Sequence, residues 1–125
     1  MREYLKITLL PKDTNMHGTI FGGVIMSHLD LAAAQCARDN FDNKFVTIFI
    51  NEMSFRHPVY VGDLVRFYGE IVKTSQTAVT VKMAVDAQHF DTREINRVTD
   101  AQLVFVAVDD QGRKTRLVPR RDRNI

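Results

Sequence analysis

Two hydrophobic rhythms divide the chain. Over 22–40 the apolar residues Val24, Ile25, Met26, Leu29, Leu31, Ala32, Ala33, Ala34, Cys36 and Ala37 fall on nearly every side of a helical wheel. Such coverage predicts one long helix sunk inside the protein, with only Arg38-Asp39-Asn40 plainly wet. Beyond it the period drops to two, the signature of strands. Val79, Val81, Met83 and Val85 alternate with Thr80, Lys82, Ala84 and Asp86, which predicts a strand over 77–87. Val65, Phe67 and Ile71 oppose Arg66, Tyr68 and Glu70 over 64–72. Further strands are expected over 4–10, closed at an edge by Pro11, over 45–55, apolar on both faces, and over 98–108, where Asp109-Asp110-Gln111-Gly112 turns the chain. A polar loop over 11–19 and a charged connection over 88–95 complete the series.

One helix and about five strands lack the alternating helices of a doubly wound sheet. The expected class is therefore α+β: an antiparallel sheet curled around a single central helix, with the alanines allowing close approach. Edge strands of such a sheet seek another chain, so a dimer that extends the sheet is expected.

Bulk properties narrow the class. A chain of 125 residues fits a single domain over 1–125, and 45% hydrophobic with 26% charged residues is ordinary for a soluble globular protein. One cysteine, Cys36, excludes an internal disulfide framework and fits a reducing compartment. The opening residues carry no signal-peptide pattern, and no apolar run is long enough to span a bilayer, so a cytoplasmic location without membrane insertion is expected. The net charge of +2 conceals an asymmetry: the basic tail over 113–125 carries +5 and the body −3. Such a tail is either a solvated end or a grip on a phosphate-bearing ligand. Nucleic acid fits poorly, because the body is acidic and no recognition motif is present.

Chemistry concentrates at the start of the helix. Gly22-Gly23 opens it, where the first N–H groups lack intrahelical partners and the macrodipole attracts negative charge. Two readings stand: the pair permits a tight loop-to-helix turn, or it lets a ligand oxygen approach the backbone and be stabilised as it gains charge. Seven residues beyond Gly23, and on nearly the same side, comes Asp30. Aspartate is a poor helix-interior residue, and an apolar helix has no packing reason to keep it. A structural hydrogen bond is one explanation; a general base or nucleophile at the edge of a cleft is the better one. Ser27, one turn earlier, is placed to orient that carboxylate or a water. His17, His28, His57 and His89 lack zinc spacing, so no metal is expected; His17 lies in the loop before the helix, within reach of a ligand. Cys36 reads as a core residue, and no nucleophile elbow or Walker loop occurs.

The run "DTNMHGTIFGG" over 13–23, then Asp30, then Val46-Thr47, then Phe55 and "PVYVGD" over 58–63, resembles the hotdog-fold acyl-CoA thioester hydrolases, in particular their small bacterial single-domain branch. The resemblance spans about 9–119. It implies a hotdog fold, an acyl-CoA substrate, no metal or redox cofactor (coenzyme A enters only with the substrate), and a dimer with composite sites, often built into a trimer of dimers. It assigns Asp30 as the catalytic carboxylate, Gly23 as a helix-start N–H polarising the thioester carbonyl, and Asn15 as an asparagine working with the aspartate of the opposite subunit. Gly22 and His17 would line the substrate site. For the CoA phosphates the candidates are Lys73, Arg116 and Arg120. His57 departs from an arginine in the resembling "F-x-R-P-V" stretch. Two other functions share the fold: a hydroxyacyl-thioester dehydratase, for which His17 is the local histidine, and a non-catalytic acyl-CoA sensor.

Overall fold

The computed structural model describes residues 1–51 and 53–121. Along the chain come β1 (Arg2–Thr8), a 3-10 turn (Pro11–Asp13), α1 (Gly22–Asn40), β2 (Lys44–Ile50), β3 (Leu64–Thr74), β4 (Ala78–Gln88) and β5 (Ile95–Val108). The strands form one antiparallel sheet in the order β1-β3-β4-β5-β2. All five contact α1, which requires the sheet to curl around the helix. The inward residues are those of the period-two pattern: Val65 and Phe67 on β3, Val79, Val81, Met83 and Val85 on β4, Leu103 and Phe105 on β5, all essentially without solvent exposure. Against them α1 sets Ile25, Leu29, Ala32, Ala33, Cys36 and Ala37. The small side chains at four of these six positions bring the helix axis close to the sheet.

Three sequence expectations need correction. The helix is not enclosed by its own chain: the sheet covers one side, and Phe21 beside its start, Met26 and Leu31 remain 58%, 37% and 62% exposed. The strand expected over 45–55 stops at Ile50. Beyond it the regular ladder ends, but the chain stays against β5: Asn51 N–H donates to Gln102 O at 3.0 Å, the Thr99 hydroxyl to Ser54 O at 2.8 Å and Arg56 N–H to Val98 O at 2.8 Å. The basic tail, as far as Arg121, is no free end. Thr115 N–H donates to Ala107 O, Leu117 N–H to Gln76 O and Arg120 N–H to Asn40 O, and Asp42 N–H donates to Val118 O, so 113–121 forms a strap along the sheet and past the end of the helix. The tail's Asp122 and Arg123 lie outside the described residues.

The "PVYVGD" stretch is a turn that launches β3. Asp63 is buried and accepts Tyr60 N–H at 2.9 Å through Oδ2, while its own N–H donates to Tyr60 O at 3.1 Å. Gly62 between them has φ +90°, a conformation glycine adopts without penalty.

Candidate active site

Asp30 sits on the flank of α1 that faces β2. Its carboxylate is half-buried, and Thr47 donates its hydroxyl to Asp30 Oδ1 at 2.8 Å. Among the described residues this is its one partner. Thr47 reaches it by the regular alternation of β2, just before a bulge. Phe45 and Thr47 oppose the inward Ala107 and Phe105; one extra residue, Ile48, is then inserted, and Ile50 pairs with the inward Leu103. The inward set therefore changes from odd to even numbers, and Phe49 is turned out. Ser27 is exposed, and the hydroxyl on Asp30 belongs to Thr47 instead.

The glycine pair occupies the first two positions of α1 after Phe21. Among the described residues neither glycine's N–H has an acceptor, whereas Val24 N–H already returns to Phe21 O at 3.0 Å. Neither has a positive φ, so the turn itself does not demand glycine. Proximity does: a Cβ on Gly23 would lie 2.6 Å from the Phe21 ring, and one on Gly22 would lie 3.2 Å from the Phe55 ring. Two exposed phenyl rings thus flank a helix start whose donors are open.

Asn15 holds its own loop. Oδ1 accepts the N–H of His17 at 2.8 Å and of Thr19 at 3.3 Å, and Nδ2 donates to Thr19 Oγ1 at 2.9 Å. The primary amide has two hydrogens, so one stays available. His17 is exposed beside it. His28 packs within the fold, its ring Nδ1 2.8 Å from Val24 O and its plane beside Phe67. His57 Nδ1–H donates to Pro58 O at 2.7 Å, and the guanidinium next to it, Arg56, pairs with Asp100.

Arg116 and Arg120 lie away from the glycine pair, near where α1 finishes: Arg116 O accepts from Asn43 Nδ2 at 3.1 Å, and Arg120 N–H donates to Asn40 O at 2.9 Å. Arg120 bonds Asp39 Oδ1 at 2.7 Å; Asp39 also takes Arg2 at 2.8 Å. Lys73 and Arg116 are exposed, Lys73 near the end of β3 and Arg116 in the strap. The rise of α1 puts about 27 Å between its two ends within one chain. Two hollows border the helix. A cavity of about 330 Å³ beside the helix start is lined by Ile20, Gly22, Ile25, Phe55 and Val59 among others. A trough of about 1300 Å³ lies on the opposite flank, between β1 and the later turns of α1, under Leu31, Gln35 and the Arg2–Asp39–Arg120 cluster. Asp30 lines neither; the neighbouring edge of β2 is unpaired, and its Val46, Ile48 and Phe49 are 46%, 58% and 58% exposed.

Residues 17–89 match the thioesterase superfamily. The chain belongs to that superfamily. An uncharacterized acyl-CoA thioester hydrolase of Haemophilus influenzae is 38% identical over 93% of this chain and 77% of its own length. The acyl-CoA thioester hydrolase YciA of Escherichia coli is 35% identical over 92% of this chain and 89% of its own. Among solved structures, a hexameric thioesterase from Yersinia pestis superposes with a TM-score of 0.88 at 34% identity, covering 93% of this chain and 94% of that one. A hexameric hotdog-fold thioesterase of Campylobacter jejuni gives 0.86 at 36% identity, covering 92% and 89%. The helix wrapped by a five-stranded antiparallel sheet is the hotdog fold that the sequence led us to expect. No helix among the described residues is long and apolar enough to cross a membrane.

Of the site as a whole, sequence reasoning missed the role of Thr47. The signal was present: a lone hydroxyl in the otherwise apolar run Phe45-Val46-Thr47-Ile48-Phe49-Ile50.

Proposed function

We propose that this chain hydrolyses acyl-CoA thioesters to a free carboxylic acid and coenzyme A. The observation that carries the reading is Asp30: a carboxylate in an apolar helix, held by one neutral hydroxyl and left open on its other oxygen, in a chain whose relatives are named acyl-CoA thioester hydrolases. Asp30 takes a proton from water as the oxygen attacks the thioester carbonyl carbon. The carbonyl oxygen gains charge and is stabilised by the open N–H of Gly23 at the positive end of the helix. The carbon–sulfur bond then breaks, the carbonyl re-forms, and the proton held by Asp30 passes to the departing CoA thiolate. Direct attack by Asp30, giving a transient anhydride that water cleaves, uses the same groups.

The site is completed by a second copy. Unpaired β2, with its exposed Val46, Ile48 and Phe49, is the edge along which the sheet continues, and the free amide hydrogen of Asn15 is then offered to the Asp30 site of the neighbouring chain. We read the assembly as a trimer of dimers, in line with the hexameric structural relatives. In that assembly Lys73, Arg116 and Arg120 serve the CoA phosphates of a neighbouring site. The activity belongs in the cytoplasm, since the single cysteine leaves no disulfide to maintain.

Release of free thiol from a panel running from acetyl- to palmitoyl-CoA, followed with a colour reagent, tests the reading directly. Asp30→Asn, folded and with unchanged oligomeric mass, should lose turnover on the order of 10²–10⁴-fold, the usual contribution of a general base. Hydrolysis by that variant at the wild-type rate would remove Asp30 from the mechanism; intact thioester after incubation with wild-type protein would remove the activity.

A further inference from the structure

We propose that the cavity beside the helix start recognises a hydroxyl on the acyl chain, so that short 3-hydroxyacyl-CoA thioesters are preferred to their unsubstituted counterparts, with His57 setting the preference. The proposal rests on the hydrolase reading and on Gly23 N–H receiving the carbonyl oxygen. The cavity, about 330 Å³, opens beside Gly22, one residue before that N–H. Its volume stands at the small end for a ligand pocket, which suits a short chain. With the carbonyl at Gly23, C2 lies at the mouth and C3 is the first carbon inside, which places the hydroxyl on C3. Part of the lining is apolar, from Ile20, Ile25 and Phe55, and part is polar, from Thr19, Arg56 and His57.

The bonds these polar groups already make define what each has left to offer. His57 Nδ1–H donates to Pro58 O at 2.7 Å, which in the neutral ring leaves Nε2 as an acceptor. Thr19 Oγ1 accepts Asn15 Nδ2–H at 2.9 Å, so its hydroxyl hydrogen remains to be donated. Arg56 is paired with Asp100, so its charge does not call for a carboxylated chain. One open acceptor and one open donor are the complement of a hydroxyl, which donates once and also accepts. A plain hydrocarbon displaces water from both groups and leaves them unpaired, a cost that a hydroxylated chain avoids. The arginine that stands here in the resembling stretch donates but cannot accept, so the acceptor belongs to this chain's histidine. The overall reaction is the same hydrolysis: water and the 3-hydroxyacyl-CoA give the 3-hydroxy acid and CoA.

Matched thioesters test this, through kcat/KM for 3-hydroxybutyryl-CoA divided by that for butyryl-CoA, a ratio in which a general loss of activity cancels. Wild type should favour the hydroxylated ester on the order of 10-fold, the scale of one well-made hydrogen bond. His57→Phe, which keeps a ring and removes the acceptor, should abolish the preference; His57→Leu is read the same way should the phenylalanine variant fold poorly. His57→Gln, which restores an acceptor, should recover part of it. No preference in wild type, a preference that survives in both acceptor-free variants, or a glutamine variant as indifferent as phenylalanine would each overturn the proposal. Thiol released equally from both esters removes only this proposal; no thiol from either removes the hydrolase reading with it. Chromatography of the products should find 3-hydroxybutyrate, and an enoyl-CoA in its place would assign the site to dehydration and overturn both.

Discussion

Asp30 and Asp39 stand nine residues apart on one helix and are held in opposite ways. Nine residues are two and a half turns, so the two carboxylates face opposite flanks. Asp39 is saturated with charge: Arg2 from β1 and Arg120 from the strap reach it at 2.8 and 2.7 Å, and it ties three parts of the chain together. Among the described residues Asp30 receives a single neutral hydroxyl, although arginines and lysines are plentiful in the sequence. A carboxylate that joins elements together is neutralised by its partners. One that must take a proton from a ligand has to keep its charge and one open oxygen. The same residue type on the same helix is thus structural at one end and reactive near the other, and the difference lies in what the neighbouring elements offer.

Exchanging each aspartate for its amide should separate the two roles most widely. The turnover lost in Asp30→Asn has no counterpart in Asp39→Asn, for which kcat on the fastest acyl-CoA should stay within about twofold while stability falls by about 1 kcal/mol, as expected for partly exposed ion pairs. Thermal melts beside thiol-release assays read both. An Asp39→Asn as slow as Asp30→Asn would erase the contrast.

The two edges of the sheet allow a second, intermediate test. β1 is tied down by Arg2 and by the Glu3–Arg66 pair, whereas β2 presents bare apolar side chains. A charge placed in the bulge, Ile48→Lys, should shift the assembly to smaller species in light scattering while circular dichroism shows the chain still folded, because edge charges oppose strand pairing. Activity should fall with the assembly if a second copy completes the site. Unchanged mass at micromolar concentration would place the interface elsewhere.

The smallest effect concerns a carboxylate on the outer face of the sheet. Burial pushes the Asp100 carboxyl up, but hydrogen bonds from Arg56 and Arg97 outweigh this and hold it below the ordinary aspartate value of 3.8. A lowered folded value means that the pair contributes stability above the unfolded value and loses it as pH falls through the folded one. Wild type should therefore lose melting temperature on acidification below about pH 4 more steeply than Asp100→Asn, by an amount worth less than about 1 kcal/mol for groups this exposed. Parallel curves would show that the network contributes nothing measurable. Turnover at neutral pH should not distinguish the two proteins.

Much of this molecule was legible from its residues. The period-two runs at 64–72 and 77–87 lie within β3 and overlap β4 almost completely, because each of these strands buries one face against the helix and so must alternate. The helix over 22–40 was equally plain, and Asp30 stood out because nothing in an apolar helix explains it. The strand at 45–55 was not legible in the same way. With both faces apolar its sequence carries no register, and the bulge that turns Phe49 outward and seats Ile50 inward arises only when β2 pairs with β5.

Sequence by itself determined the fold class, the central helix and the carboxylate it carries, since these follow from local periodicity and from one residue out of keeping with its surroundings. Tertiary structure alone decided that Thr47 grips Asp30, that Arg2 and Arg120 neutralise Asp39, and that the basic tail lies as a strap as far as Arg121. Those are contacts between segments far apart along the chain, and no local pattern of residues encodes which of them will meet.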